Sequence, residues 1–434
     1  MKHPIRRPFP TPGSRSESPA ATETGDDAER KAPVAFVAVK RIFAAETGNY
    51  FLLLGTTLFL VIFGLVMVLS SSAVQSLKEQ SDAFAEFHSQ GVYLAIGVPL
   101  MLVVSRFPAS FWKRWAWPAV VVGVVLQMLV FTPLGYGYGG NLNWLDLGAF
   151  TIQPSELVKL ALCLWLAFIL TTKRELLGDW KHVAVPIAPV AGVAIGLVLL
   201  GNDLGTVVIM LAIVFGSLFF AGVRLRFLVL PLIAIAGMGL IVAQLSSSRR
   251  DRIEVWLNGC PPEEYLNNCW QVLHGTWALA SGGLFGVGLG NSKTKWSWLP
   301  HAETDYIFSI IGEELGLIGA VVVLLLFVVL AIAFVRIIRA NRDPFARLTT
   351  GAVMIWIVGQ ALVNIAVVLG LLPVLGVPLP LISAGGSALI TTLLAIGVVL
   401  SFARTPKHDL EDHQRMSPAE RSRWAAAQRS RTTP

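Results

Sequence analysis

Between Tyr50 and Ala403 the chain returns again and again to apolar runs of roughly the length a helix needs to cross a bilayer, about 20 residues. Ten such segments lie near 50–70, 90–105, 112–131, 156–172, 183–200, 204–222, 225–245, 306–337, 348–371 and 383–403. A soluble fold needs a polar shell, and a chain with 54% hydrophobic and only 14% charged residues cannot supply one. In hydrocarbon the backbone must satisfy its own hydrogen bonds, so the expectation is an all-α polytopic integral membrane protein with ten transmembrane helices. The run at 306–337 is longer than one crossing requires and is expected to tilt or project. Three cysteines exclude a disulfide scaffold, and 39 glycines without a G-X-Y period exclude collagen. The formal charge of +7 does not point to nucleic acid, because in a membrane protein the placement of cations matters more than their sum.

That placement sets the expected orientation. Lys and Arg accumulate on the cytoplasmic side, and they follow alternate segments: Arg106, Lys113 and Arg114; Lys173, Arg174 and Lys181; Arg224 and Arg226; Arg336, Arg339, Arg342 and Arg347. The other connections are poor in cations, so both termini are expected in the cytoplasm. Residues 1–48 lack an apolar period and read as a disordered tail without a cleavable signal peptide, and 404–434 as a second, basic tail. The membrane domain is then 49–403. Segment 246–304, between the seventh and eighth helices, is a large outer loop; long loops escape the charge rule, so Arg249, Arg250, Arg252, Lys293 and Lys295 do not contradict this. Within it Cys260 and Cys269 flank a Pro-Pro turn, and both a disulfide and two free thiols are open readings. Cys163 reads as a small buried side chain.

Ionisable groups at membrane depth are expensive, so the few present are the leads. Glu156 and Lys159 in QPSELVK share one helical face after Pro154. They form either a packing ion pair or the charged floor of an outward cavity, where Lys159 meets an anionic substrate group. In LPHAETDYIF, His301, Glu303 and Asp305 alternate; Asp305 is either a helix cap or a general base. No HExxH, CxxC or second ligand cluster accompanies them, so no protein metal site is expected. GGLFGVGLGN at 282–291 reads as a tight re-entrant turn, and Glu313 and Glu314 require partners or water. Asp203 sits at an outer helix mouth. Segment 374–389, with Pro378, Pro380 and the Gly385-Gly386 pair, must be irregular backbone lining a cavity. These leads fall together on the outer side.

The strings NWLDLGAFTIQPSELVK, NDLGT, GGLFGVGLGNSKTKWSWLP, ETDYIFSIIGEELG and LLPVLGVPLPLISAGGSAL, in this order across residues 50–403, resemble the SEDS family (FtsW, RodA and SpoVE), with GLGNS and GEELG closer to its division branch. The chain departs from the family pattern at His301-Ala302-Glu303, where His and Glu are exchanged, and at Gly201-Asn202 and Tyr306. The resemblance implies a glycosyltransferase of the bacterial cytoplasmic membrane that polymerises lipid II into peptidoglycan strands at the septum. It would work with a class B penicillin-binding protein and other divisome membrane proteins. By the same resemblance Asp305 is the catalytic carboxylate, and Glu156 and Lys159 line the substrate cavity. Lys295, Ser383, Gly385 and Gly386 are grouped with them as substrate-binding candidates. Charge on the leaving pyrophosphate would be offset by Lys159, by cations of the outer loop, or by a divalent ion such as Mg2+. A lipid II flippase, a non-catalytic division scaffold and an elongation-branch enzyme are the alternatives.

Overall fold

The computed structural model describes residues 47–404 except 139–140, 149–150, 245–246, 262–263, 267–268 and 297. Both expected tails, save Thr47, Gly48 and Arg404, lie outside the described residues. Each of the ten expected segments falls on a helix. The helices are α1 (Gly48–Gln80), α2 (Ala85–Val104), α3 (Ala109–Leu129), α4 (Pro154–Thr172), α5 (Trp180–Leu200), α6 (Leu204–Phe220) and α7 (Arg226–Gln244). In the large loop follow α8 (Ser247–Asn258) and α9 (Trp270–Ser281), then α10 (Ile307–Ala340), α11 (Pro344–Met354), α12 (Gln360–Val368) and α13 (Gly386–Phe402). A π-helical turn, Ile355–Gly359, joins α11 to α12. Six spans among the described residues, those formed by α1, α2, α4, α5, α10 and α11–α12, are long and apolar enough by themselves to cross a membrane; Leu204–Phe220, Arg226–Ile235 and Gly386–Phe402 are shorter apolar helices.

Several boundaries differ from expectation for physical reasons. Helix α1 continues past residue 70 because its serines are satisfied within the bundle: Ser72 Oγ donates to the Val68 carbonyl, 2.7 Å, and Ser70 Oγ to Glu314 Oε1, 2.7 Å. Helix α11 begins earlier than expected because Asp343 caps it, accepting from Phe345 N, with Pro344 in the first turn. Helix α13 begins only at Gly386, since the preceding residues are irregular. The fold is helical apart from a small antiparallel sheet in the α3–α4 connection: β1 (Gly135–Tyr138), β2 (Asn141–Asp146) and β3 (Thr151–Ile152), in the order β1-β2-β3.

The chain ends of the bundle meet. Thr47 Oγ1 donates to the Ala403 carbonyl at 2.7 Å, Asn341 Nδ2 to Phe402 O at 3.0 Å, and Lys113 pairs with Asp343 at 2.9 Å. These groups define one face; residues 301–306, the sheet and the irregular 369–385 segment lie at the other helix ends.

Helix α10 carries the long run and is broken at Gly316, whose φ of 70° is left-handed. The glycine-rich segment 282–291 fills the break as a turn against the helix. Val287 N and Gly288 N donate to the Glu313 and Glu314 carbonyls at 2.9 and 3.0 Å, while Leu317 N donates to Gly283 O at 2.9 Å. The irregular 369–385 segment is admitted between helices by missing side chains. A Cβ on Gly64 would lie 2.6 Å from Ile382 Cα, and one on Gly205 would collide with the Leu375 carbonyl. Gly64→Val is therefore expected to destabilise the protein by about 2–3 kcal/mol or more, read as a lower melting temperature in detergent; an unchanged melting temperature would overturn this account of the packing.

Candidate active site

The carbonyls of three consecutive residues before α10 are each held by a donor from the last third of the chain. Ala384 N donates to Glu303 O at 2.9 Å, Ser383 Oγ to Thr304 O at 2.6 Å, and Asn364 Nδ2 to Asp305 O at 2.8 Å. Asn364 Nδ2 also donates to Val377 O at 2.7 Å, and Ser383 Oγ accepts from Leu379 N at 2.8 Å. Upstream, the His301 carbonyl accepts from Thr304 N and Tyr306 N, both at 3.2 Å, closing a tight turn. The backbone around Asp305 is thus fixed on every side, and its side chain is aimed toward Gly376: a Cβ there would be 3.7 Å from Asp305 Oδ2.

Asp305 is not a helix cap. The cap position of α10 is Tyr306, with no side-chain cap bond. The half-buried Asp305 carboxylate accepts no hydrogen bond among the described residues. Burial raises its pKa from 3.8 to about 6; His301 and then Arg252 nearby offset part of the rise, and Asp203 adds to it. Arg252 comes from α8 in the large loop and is exposed. Asp203, nearly buried, caps α6 through Thr206 N at 2.9 Å and accepts from Gln153 Nε2 at 3.2 Å. Gln153 N is in turn bonded to Ser387 Oγ at 3.1 Å, so α4, α6 and α13 converge beside Asp305.

Glu156 and Lys159 are 3% and 1% exposed, and the ion pair between them measures 2.9 Å. Lys159 Nζ also donates to Gln360 Oε1 at 3.0 Å and lies 4.9 Å from the centre of the Trp356 ring. Gln360 Nε2 continues to the Pro378 carbonyl at 3.0 Å. The pair is therefore an internal brace beneath the irregular segment, with Lys159 engaged by Glu156, Gln360 and Trp356. Lys295, expected to contact substrate, is likewise occupied: its Nζ donates to Gly290 O at 2.6 Å and to Glu314 Oε1 at 3.2 Å. Glu313 accepts from Ser292 Oγ, Thr294 Oγ1 and Lys293 N, so the two glutamates clamp the glycine-rich segment. Ser383 positions Thr304, and Gly385 N donates to Gln90 Oε1 at 3.3 Å. Gly386 lies against the Tyr93 ring, where a Cβ would collide.

The structure therefore gathers Asp305, Ser383, Gly385 and Gly386 into one site, sets the Glu156–Lys159 pair below it, and places Lys295 in a separate buried network. Cys260 and Cys269 are disulfide-bonded with Cα atoms 5.7 Å apart, and α9 follows directly. That helix presses on the site: a Cβ on Gly275 would lie 2.5 Å from the Tyr306 ring. The amides Gln90, Gln153, Gln360 and Asn364 are the site residues the sequence reading missed. The signal was there, because an amide inside an apolar span is costly unless bonded.

A helical membrane bundle with a rigidly held, unengaged carboxylate among irregular backbone at one helix mouth is the class of protein this defines. The chain matches the family described as cell cycle proteins, FtsW, RodA and SpoVE, over residues 50–408, and belongs to it. It is 38% identical over 357 residues to a probable peptidoglycan glycosyltransferase FtsW of Mycobacterium tuberculosis, covering 82% of this chain and 68% of that one. It is 36% identical over 366 residues to stage V sporulation protein E of Bacillus subtilis, covering 84% and 99%. A solved chain from a peptidoglycan synthase complex described as coordinating polymerization and crosslinking superposes with a TM-score of 0.66 at 27% identity, covering 81% of this chain and 96% of that one.

Removing the Lys159 ammonium would strand Glu156 as an unpaired buried charge, so Lys159→Met is expected to cost about 3–5 kcal/mol and lower the melting temperature sharply. Asp305→Asn should leave it unchanged or slightly raised, because a folded-state pKa above the ordinary value means ionised Asp305 opposes folding as pH rises toward about 6. Equal losses from the two substitutions would refute this division between a paired brace and an unengaged carboxylate.

Proposed function

We propose that this protein is a peptidoglycan glycosyltransferase that polymerises lipid II at the outer face of the bacterial cytoplasmic membrane, with both termini in the cytoplasm and its work at the division septum. The observation that carries the reading is the Asp305 carboxylate: fixed in direction by three backbone anchors, bonded to nothing among the described residues, and raised to a pKa of about 6 in a chain of this family. A carboxylate used only for packing would be paired, as Glu156, Glu313 and Glu314 are.

In this reading Asp305 takes the proton from the C4 hydroxyl of the acceptor N-acetylglucosamine as that oxygen attacks C1 of the donor N-acetylmuramic acid. The bond from C1 to the pyrophosphate oxygen breaks, its electron pair departs with undecaprenyl pyrophosphate, and C1 inverts. Arg252, whose charge favours ionised Asp305, is an exposed cation available for the growing negative charge. Lys159 and Lys295, both saturated, serve this purpose less well. Among the described residues no group of three His, Cys, Asp or Glu side chains could hold a metal. A Mg2+ ion would therefore be carried mainly by pyrophosphate and water oxygens. A class B penicillin-binding protein is the partner that would cross-link the strands, in keeping with the complex to which the similar solved chain belongs.

The test is polymerisation of labelled lipid II by the purified protein with and without a class B partner, in moenomycin to silence other synthases. Asp305→Ala should lower the rate by about 100- to 10,000-fold, the usual contribution of a general base. Glycan ladders that persist in Asp305→Ala would remove the assignment, and lipid II crossing the bilayer without ladders would favour a flippase.

The pH profile gives a second check. A base must be ionised, so kcat/KM should fall about tenfold per pH unit below about 6 and level off above it. Arg252→Gln removes a charge that favours the ionised form and should move the midpoint upward, whereas Asp203→Asn should move it downward. A midpoint that ignores both substitutions would show that another group controls the rate.

A further inference from the structure

At the face that carries Thr47 and Ala403, opposite Asp305, a cleft of about 170 Å3 opens between the end of α4, the end of α6, the last turns of α10 and the start of α11. One side is apolar, formed by Leu170, Phe220, Ile338 and Leu348; the other carries Arg174 and Arg347. The two arginines come from separate connections, both are exposed, and neither has a carboxylate partner among the described residues. The nearby acids do not fill that role. Asp343 is engaged by Lys113 at 2.9 Å and caps Phe345 N, and Glu175, beside Arg174 in sequence, does not line the cleft.

Two guanidinium groups converging on one small cleft repel each other unless an anion lies between them, and their planar forks match phosphate oxygens in paired hydrogen bonds. The cleft sits at the ends of helices read as membrane-spanning, where lipid headgroups would lie, and sets an apolar side against a basic one. A basic pocket between helix ends is the form that anionic lipid headgroups select. We infer that this cleft binds an anionic phospholipid, with Arg174 and Arg347 on its phosphate and the apolar wall against the first part of an acyl chain. The apolar side sets the lipid apart from a free phosphate, which would leave that wall unused. Bound there, the lipid would tie together α4, which carries the Glu156–Lys159 brace, and α10, which begins beside Asp305.

The full-length protein, purified in neutral detergent, is titrated with phosphatidylglycerol, with phosphatidylcholine of the same acyl chains, and with glycerol 3-phosphate. Lipid retention is read by native mass spectrometry, and the melting temperature is followed in parallel. The wild type should retain one phosphatidylglycerol where phosphatidylcholine is lost, with a rise in melting temperature. Arg174→Gln and Arg347→Gln should each weaken retention about fivefold and the double variant about 25-fold. Arg342→Gln, which removes a charge outside the cleft, should change nothing, and the double lysine variant should recover part of the retention and report that the fold is intact. Undiminished retention in the double glutamine variant, equal retention of the two lipids, or an equal thermal shift from glycerol 3-phosphate would each overturn the proposal.

Discussion

The hold of the chain's last third on the carbonyls of residues 303–305 is the constraint from which the rest of the site follows. Donors from Ala384, Ser383 and Asn364 fix a stretch of non-helical backbone at the mouth of a membrane bundle. Such backbone is tolerated at that depth only where other groups satisfy it, and here two different elements do so. The irregular segment supplies donors to the Asp305 turn, while Asn364 and Gln360 supply donors to the carbonyls of Val377 and Pro378. The irregular segment thus holds the Asp305 turn and is itself held by α12, and glycines on α1 and α6 let it come close to those helices.

Buried charge divides along the same line. Glu156, Lys159, Lys295, Glu313 and Glu314 are nearly inaccessible; Glu156 is paired with Lys159, and the other four have several partners each. Burying such groups costs several kcal/mol apiece, recovered only when geometry and additional hydrogen bonds are good. Their return is architectural: one pair braces α4 against the irregular segment, and the other network clamps the glycine-rich turn into the break of α10. A side chain engaged in this way is less available to substrate. Asp305 is different because its oxygens are unengaged among the described residues while its backbone is the most firmly anchored part of the site.

Much of the bundle was legible in the sequence because transmembrane helices are written as length and apolarity: each expected segment coincides with helical structure, the ninth with α11, the π-turn and α12 together. Boundaries were less legible where polar residues are satisfied by partners distant in sequence, as with Ser70 on Glu314. The break in α10 followed the same logic: GGLFGVGLGN read as a turn, but nothing local says that it docks on Gly316. Asp305 stood out in the sequence through its motif and family resemblance, and the structure adds its anchored backbone and unengaged carboxylate. The roles of Lys159 and Lys295 were not, because pairing at three residues' spacing looks the same for a cavity floor and an internal brace; only the contacts with Gln360, Trp356 and Gly290 separate them.

The surroundings of Asp305 also fit the proposal that it acts as a base. A base that works near neutrality needs a pKa high enough to accept a proton and low enough to be ionised, and a free aspartate is too acidic for the first requirement. Partial burial supplies the rise, and a strong ion pair would cancel it. His301 and Arg252 act on Asp305 from nearby without a hydrogen bond to its carboxylate among the described residues, so the rise is trimmed and not abolished. Arg252 belongs to the large loop, whose next helix follows the disulfide and packs against Tyr306. The loop therefore sets both the charge above Asp305 and the firmness of the turn beneath it, and any movement of α8 and α9 would change the basicity of the site along with its access.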